Sequence, residues 1–138
     1  MSLFNIMAVS GSSLEAQGLR LNTIASNLAN ANSVAGSERD AYRARLPVVE
    51  TVYRDAAGER GASAGVRVRG VVESALPPRQ EYDPGHPLAD AEGYIYRPQI
   101  DAVDEMANMI AASRAYQNSV QTMNTAKQLM LRTLTLGR

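Results

Sequence analysis

The chain has one histidine, His86, between Gly85 and Pro87, with Asp83, Asp90 and Glu92 nearby in sequence. A histidine acting as general acid or base needs a nucleophile to activate or a partner that orients its ring. Neither follows from the sequence. It contains no G-x-S-x-G elbow and no cysteine, so thiolate catalysis, disulfides and cysteine-based zinc sites are excluded. His86 therefore reads as a turn residue. The acids Asp83, Asp90, Glu92, Asp101, Asp104 and Glu105 invite comparison with a calcium site. Their spacing does not follow the EF-hand loop, and half of them sit where a helix N-terminus favours negative charge. The glycine-rich stretch 58–65 lacks the G-K-[ST] of a phosphate loop, and no helix follows it. Methionines recur near the C-terminus, a pattern that serves redox chemistry or promiscuous docking in some proteins but more commonly fills a packed seam. No catalytic residue, metal ligand or cofactor is expected.

What remains is the scaffold that carries these residues. Residues 101–136 read as one long helix. Met109, Tyr116, Met123 and Met130 recur every seven residues, and Ala112, Val120, Ala126 and Leu134 fill the half-steps. Asp101 is the expected N-cap, Asp104 and Glu105 occupy the first turn, and beyond Glu105 the charges are all basic. At about 1.5 Å per residue such a helix is roughly 50 Å long. That is too long for a chain of 138 residues to enclose.

The N-terminal third carries a second, shorter stripe. Leu14, Leu21 and Leu28 are seven apart, with Ile24 and Ala31 between them. Ser12-Ser13-Leu14-Glu15 fits a capping box, which predicts a helix starting or restarting at Ser12 after Gly11, with Leu3–Met7 as a separate short helix or ordered arm. The opposite face is neutral rather than charged: Gln17, Asn22, Thr23, Ser26, Asn27, Asn30 and Asn32. A helix facing water usually carries Lys and Glu there, so a second protein surface is expected to cover this one.

Residues 37–100 hold all six prolines and have no helical period. Val48–Tyr53 reads as a strand, and Val66–Arg69, continuing toward Val72, as a second, joined by a long loop over Asp55–Gly65. Leu76-Pro77-Pro78 is held extended, Tyr82–Pro87 is a turn-rich loop, and Tyr94–Tyr96 is a short strand. Arginines and acids alternate through this region, as on a solvated strand face rather than a nucleic-acid patch. Over the whole chain 14 basic residues balance 14 acidic ones, so net charge steers neither nucleic acid nor anionic lipid. No transmembrane stretch is read, and Met1–Val9 lacks the basic start of a cleavable signal. By default that predicts a cytoplasmic protein, unless export uses a route without such a signal.

The two ends together resemble a known family. Ser12–Ser33 is similar to the N-terminal signature of the bacterial flagellar rod, hook and filament-type axial proteins, with Leu14, Ala16, Gln17, Leu21, Ile24, Ser26, Asn27, Leu28, Ala29 and Asn30 on the pattern. Tyr42–Pro47, Tyr82–Pro87, Glu92–Tyr94, Asp104–Met106, Ser113–Gln117 and Leu134–Gly137 resemble the basal-body rod branch of that family. Ser33, where Thr is common, and Asn118-Ser119 ahead of Val120 depart from it. The resemblance implies a structural subunit of the periplasmic proximal rod. Its terminal helices would pair in an inner tube-forming layer, with the central segment further out. It would be delivered by the flagellar type III export apparatus without a cleaved signal.

The expected fold is mainly α with a β insertion. The N- and C-terminal helices pair as an antiparallel coiled coil around a small β-hairpin-containing centre. The expected division is 1–36 with 101–138 as a discontinuous helical domain, and 37–100 as the β-rich segment. The expected assembly interface is Leu14, Leu21, Ile24, Asn27, Leu28, Asn30, Met109, Tyr116, Val120, Met123, Met130 and Leu134. Expected partners are further copies, homologous rod subunits and the export apparatus, with neither nucleic acid nor membrane insertion. Two other classes fit the residues less well: a cytoplasmic coiled-coil adaptor with a β-hairpin insert, and a small hydrolase or metal-binding domain.

Overall fold

Two long helices bracket two small antiparallel sheets in the computed structural model, which describes residues 3–54 and 63–136. Helix α1 runs over Leu3–Asn30 without a break. The restart expected at Ser12 does not occur. Its hydroxyl donates backward to the Val9 carbonyl (2.9 Å) and accepts the Val66 N–H (3.1 Å), so it holds a strand rather than capping a helix. Gly11 sits mid-helix, which costs about 0.5–1 kcal/mol relative to alanine. Helix α2 runs over Ala102–Leu136. Here the N-cap is as read: Asp101 Oδ1 accepts the Val103 N–H at 2.8 Å and the Asp104 N–H at 3.3 Å.

Strands β1 (Arg45–Arg54) and β2 (Ser63–Glu73) form one two-stranded sheet. Both extend beyond the stretches recognised in sequence, and most of the loop expected over Asp55–Gly65 lies outside the described residues. Strands β3 (Arg79–Tyr82) and β4 (Tyr94–Arg97) form the other, in register Arg79↔Arg97 to Tyr82↔Tyr94. Strand β3 is fully exposed, and the sequence reading had no strand there.

The contacts gather the chain into two units. The first holds residues 1–21, 47–70 and 111–138. Within it α1 and α2 run antiparallel, since Gly11 approaches the Met123 methyl while Ser13 meets Ser119. Its buried residues are small, Ser10, Ala16, Ala112 and Ala126, which allows close approach of the helices. The second unit holds residues 22–46 and 71–110. Its core is Thr23, Ile24, Asn27, Ala31, Ala41 and Ile95. Residue Ala35 extends the β4 ladder by exchanging both backbone hydrogen bonds with Tyr96 (2.9 Å each).

Candidate assembly interface

In the first unit the covered side of α2 runs through Ala112, Ala115, Ser119, Met123, Ala126 and Met130, spaced three and four apart. Val120 is half-buried beside this stripe. Ser119, one of the departures from the family pattern, lies at its centre. Its hydroxyl proton goes to the Ala115 carbonyl (3.0 Å), which leaves Ser13 as donor in the Ser13–Ser119 contact of 3.0 Å. Two hydroxyls thus satisfy each other inside the seam. Two residues of the expected assembly interface, Tyr116 and Leu134, are exposed in the single chain. Tyr116 is 38% exposed because Ala115 and Ser119 take the inward positions, and Leu134 is 71% exposed. Leu134 borders a shallow apolar hollow with Leu3, Phe4 and Met130. Leu14 and Leu21 are half-buried.

In the second unit Ile24 is buried, and Met109, Leu28 and Asn30 are half-buried. Asn30 donates to the Ser26 carbonyl one turn back (2.8 Å). Asn27 is 1% exposed, and three of its hydrogen bonds lie inside its own chain. Its amide nitrogen donates to the Arg45 carbonyl (2.9 Å), and its oxygen accepts the Arg45 N–H (2.8 Å) and the Tyr42 hydroxyl (3.0 Å). The carboxamide imitates a neighbouring strand and pairs with the first residue of β1. Sequence reading placed Asn27 on a docking face; its binding of Arg45 was not legible because the two are 18 positions apart.

The histidine and acid motifs build a turn. His86 donates its backbone N–H to the Asp83 carbonyl (3.1 Å), and its Nδ1 accepts the Leu88 N–H (3.1 Å). Asp90 Oδ1 accepts the Glu92 and Tyr94 N–H groups, while its Oδ2 accepts the Tyr96 hydroxyl. Gly93 supplies the left-handed turn residue at φ +84°. Tyr82 and Tyr94 meet edge to face at 5.3 Å across the β3–β4 pair. Among the described residues no three His, Asp or Glu side chains gather as a metal site, and no helix is long and apolar enough to cross a membrane.

Both helices leave large apolar side chains uncovered. Phe4 is 75% exposed, and Leu129, Leu131 and Leu134 are exposed near the end of α2. At the start of α2, Val103, Met106 and Ile110 form an exposed stripe three and four residues apart, which sequence reading missed. Only its spacing signalled it, and the longer methionine column dominates the same helix.

Paired terminal helices with exposed apolar surface are the frame of a structural subunit, and similarity to known proteins gives the class. Residues 7–36 match the family model for flagella basal body rod protein, and residues 91–136 match that for the flagellar basal body rod FlgEFG protein C-terminal region. The chain is 49% identical over 138 residues to the flagellar basal-body rod protein FlgC of Escherichia coli O6:H1, covering all of both chains. It is 48% identical over 138 residues to the FlgC of Salmonella typhimurium, again covering all of both. Against the FlgC of Buchnera aphidicola from Acyrthosiphon pisum the identity is 35% over 139 residues, 99% of each. The chain belongs to the FlgC family of flagellar basal-body rod proteins. It is a structural rod subunit of the flagellar basal body.

Proposed function

We propose that this subunit enters the rod by polymerising through its two terminal helical segments, 1–36 and 101–138, with residues 37–100 as the outer excursion. The assembled tube transmits torque. It does so by stiffness, without a turnover site, so no enzymatic role is assigned. Its neighbours are further copies of itself and homologous rod subunits. Delivery to the periplasm runs through the flagellar type III export apparatus without a cleaved signal. The observation that carries this reading is that α2 has one stripe covered within the chain and large apolar residues bare elsewhere, Val103 at 68% and Leu134 at 71% among them. Each such side chain forgoes about 1.5–3 kcal/mol of burial while exposed to water. A polymer recovers that burial by placing a neighbour against each face. Head-to-tail contacts that do not close into a ring give an open helical array.

Replacing Leu28 or Met123 by Asp places a charge in a half-buried apolar position on each helix. Each variant is expected to be expressed but absent from the rod, with motility lost. Normal swimming by both would reject polymerisation through these segments.

A further inference from the structure

Strands β1 and β2 are firmly anchored at one end and lightly held further along. At the base the Ser74 N–H donates to the Ala44 carbonyl at 2.7 Å, and Asn27 bonds both backbone groups of Arg45. Toward the other end the Val66 N–H donates to the Ser12 hydroxyl of α1 at 3.1 Å. Gly65 lets the strand come this close, since a Cβ there would lie 3.4 Å from the Ser12 oxygen. Packing around this contact is incomplete. A cavity of about 240 Å³ is lined by Ala8 and Val9 of α1 and by Val52, Val66 and Val68 of the strands. Side chains that border a void lose dispersion contacts on that side.

Between the two ends the ribbon has a joint. Antiparallel counting from the Ser74–Ala44 bond puts Pro47 of β1 across from Val71 of β2, next to Gly70. Proline has no N–H to give to the ladder. Gly70 takes φ +155°, in the half of backbone space that favours glycine, and a Cβ there would meet nothing within 4 Å. The glycine therefore answers to backbone conformation and not to lack of space, as at a bulge or bend.

We propose that residues 48–54 and 63–69 form a strap that pivots at Pro47 and Gly70 and is latched on α1 by the Ser12 hydroxyl. When the strap lifts, the Val66 N–H passes to water. The Ser12 hydroxyl keeps its own donor bond to the Val9 carbonyl (2.9 Å), so the helix loses no bond of its own. One exchanged hydrogen bond of this kind favours the closed strap by a factor of about two to ten. Opening bares the Ala8–Val9 side of α1 and closing covers it. The α1–α2 contacts at Gly11 and Ser13 are not part of the latch, so the helix pair stays together throughout. The motion is independent of the polymerisation proposed above.

Amide hydrogen exchange of the full chain, followed residue by residue by NMR across a urea series, tests the strap. The Val66 amide is expected to exchange at least about tenfold faster than those of Arg45 and Ser74. Its urea dependence should be weaker than that of α2 around the buried Ala112. Ser12→Ala removes the latch and should speed Val66 exchange about two- to tenfold, with Arg45, Ser74 and α2 unchanged. Gly65→Ala presses on the hydroxyl while leaving Ser12 in place, so it should act in the same direction, and it serves if Ser12→Ala does not fold. Matching rates and urea dependence at Val66 and in α2 would overturn the strap, since the ribbon would then open only when the chain unfolds. Equally fast exchange at Val66 and Ser74 would overturn the joint at Pro47 and Gly70. Val66 exchange unchanged in both variants would overturn the latch. None of these outcomes bears on the rod reading, which Met123→Asp tests in cells.

Discussion

Asn27 replaces a missing strand at the start of β1. Its carboxamide pairs with both backbone groups of Arg45 while Tyr42 bonds its oxygen, so three hydrogen bonds converge on one buried side chain. Asn27→Ala leaves the Arg45 amide without that partner. The expected cost is about 1–3 kcal/mol, the cost of leaving one such group unsatisfied. Faster hydrogen exchange at Arg45 would mark the site of the loss, and unchanged exchange would refute the assignment. Gly93 is the second residue with a sharp requirement. Its φ of +84° disfavours a side chain, and a Cβ there would lie 3.0 Å from the Tyr82 ring and 3.1 Å from Pro84 Cβ. Gly93→Ala is expected to cost about 1–3 kcal/mol, read from the denaturation midpoint. A midpoint within error of wild type would show that the turn relaxes freely.

At the level of elements, the pairing of α1 with α2 depends on small residues. Ala16, Ala112 and Ala126 are buried, and Gly11 lies against Met123. A Cβ on Gly11 would sit 3.8 Å from the Met123 methyl, which is ordinary contact. Gly11→Ala should therefore stabilise the helix by about 0.5–1 kcal/mol, while Gly11→Leu should destabilise the pair by about 1–3 kcal/mol through overpacking. Both are read by thermal denaturation followed at the helical signal, and equal effects from the two would contradict the close packing. The helical period was legible because Met109, Met123 and Met130 repeat over many turns. The inward positions of Ala115 and Ser119 were not, since a heptad count on large residues favours Tyr116. Strand β3 was hidden for a related reason. Its side chains are all exposed, so no apolar alternation marks it, and its partner β4 is supplied from across the Asp83–Gly93 turn. The break expected at Ser12 failed because a Ser-x-x-Glu pattern cannot reveal that the serine hydroxyl is needed by Val66 instead.

For the molecule as a whole, the sequence carried the family and the plan of two helices around a β-rich centre, because both depend on long periodic or contiguous motifs. It did not carry the grouping of residues into two units, which depends on contacts between distant segments. Each unit draws on both helices and on the β-rich centre. The exposed leucines, valines and phenylalanine leave apolar surface on the single subunit that the proposed polymer would cover.

The location of the chain in the cell tests that account most directly. Basal bodies extracted with detergent from cells carrying the wild-type chain or Met123→Asp can be assayed by quantitative mass spectrometry. The account predicts the wild-type chain in the rod fraction alongside the other rod subunits, and Met123→Asp missing from it. Recovery of the wild-type chain only from the cytosol, with rods intact, would contradict it.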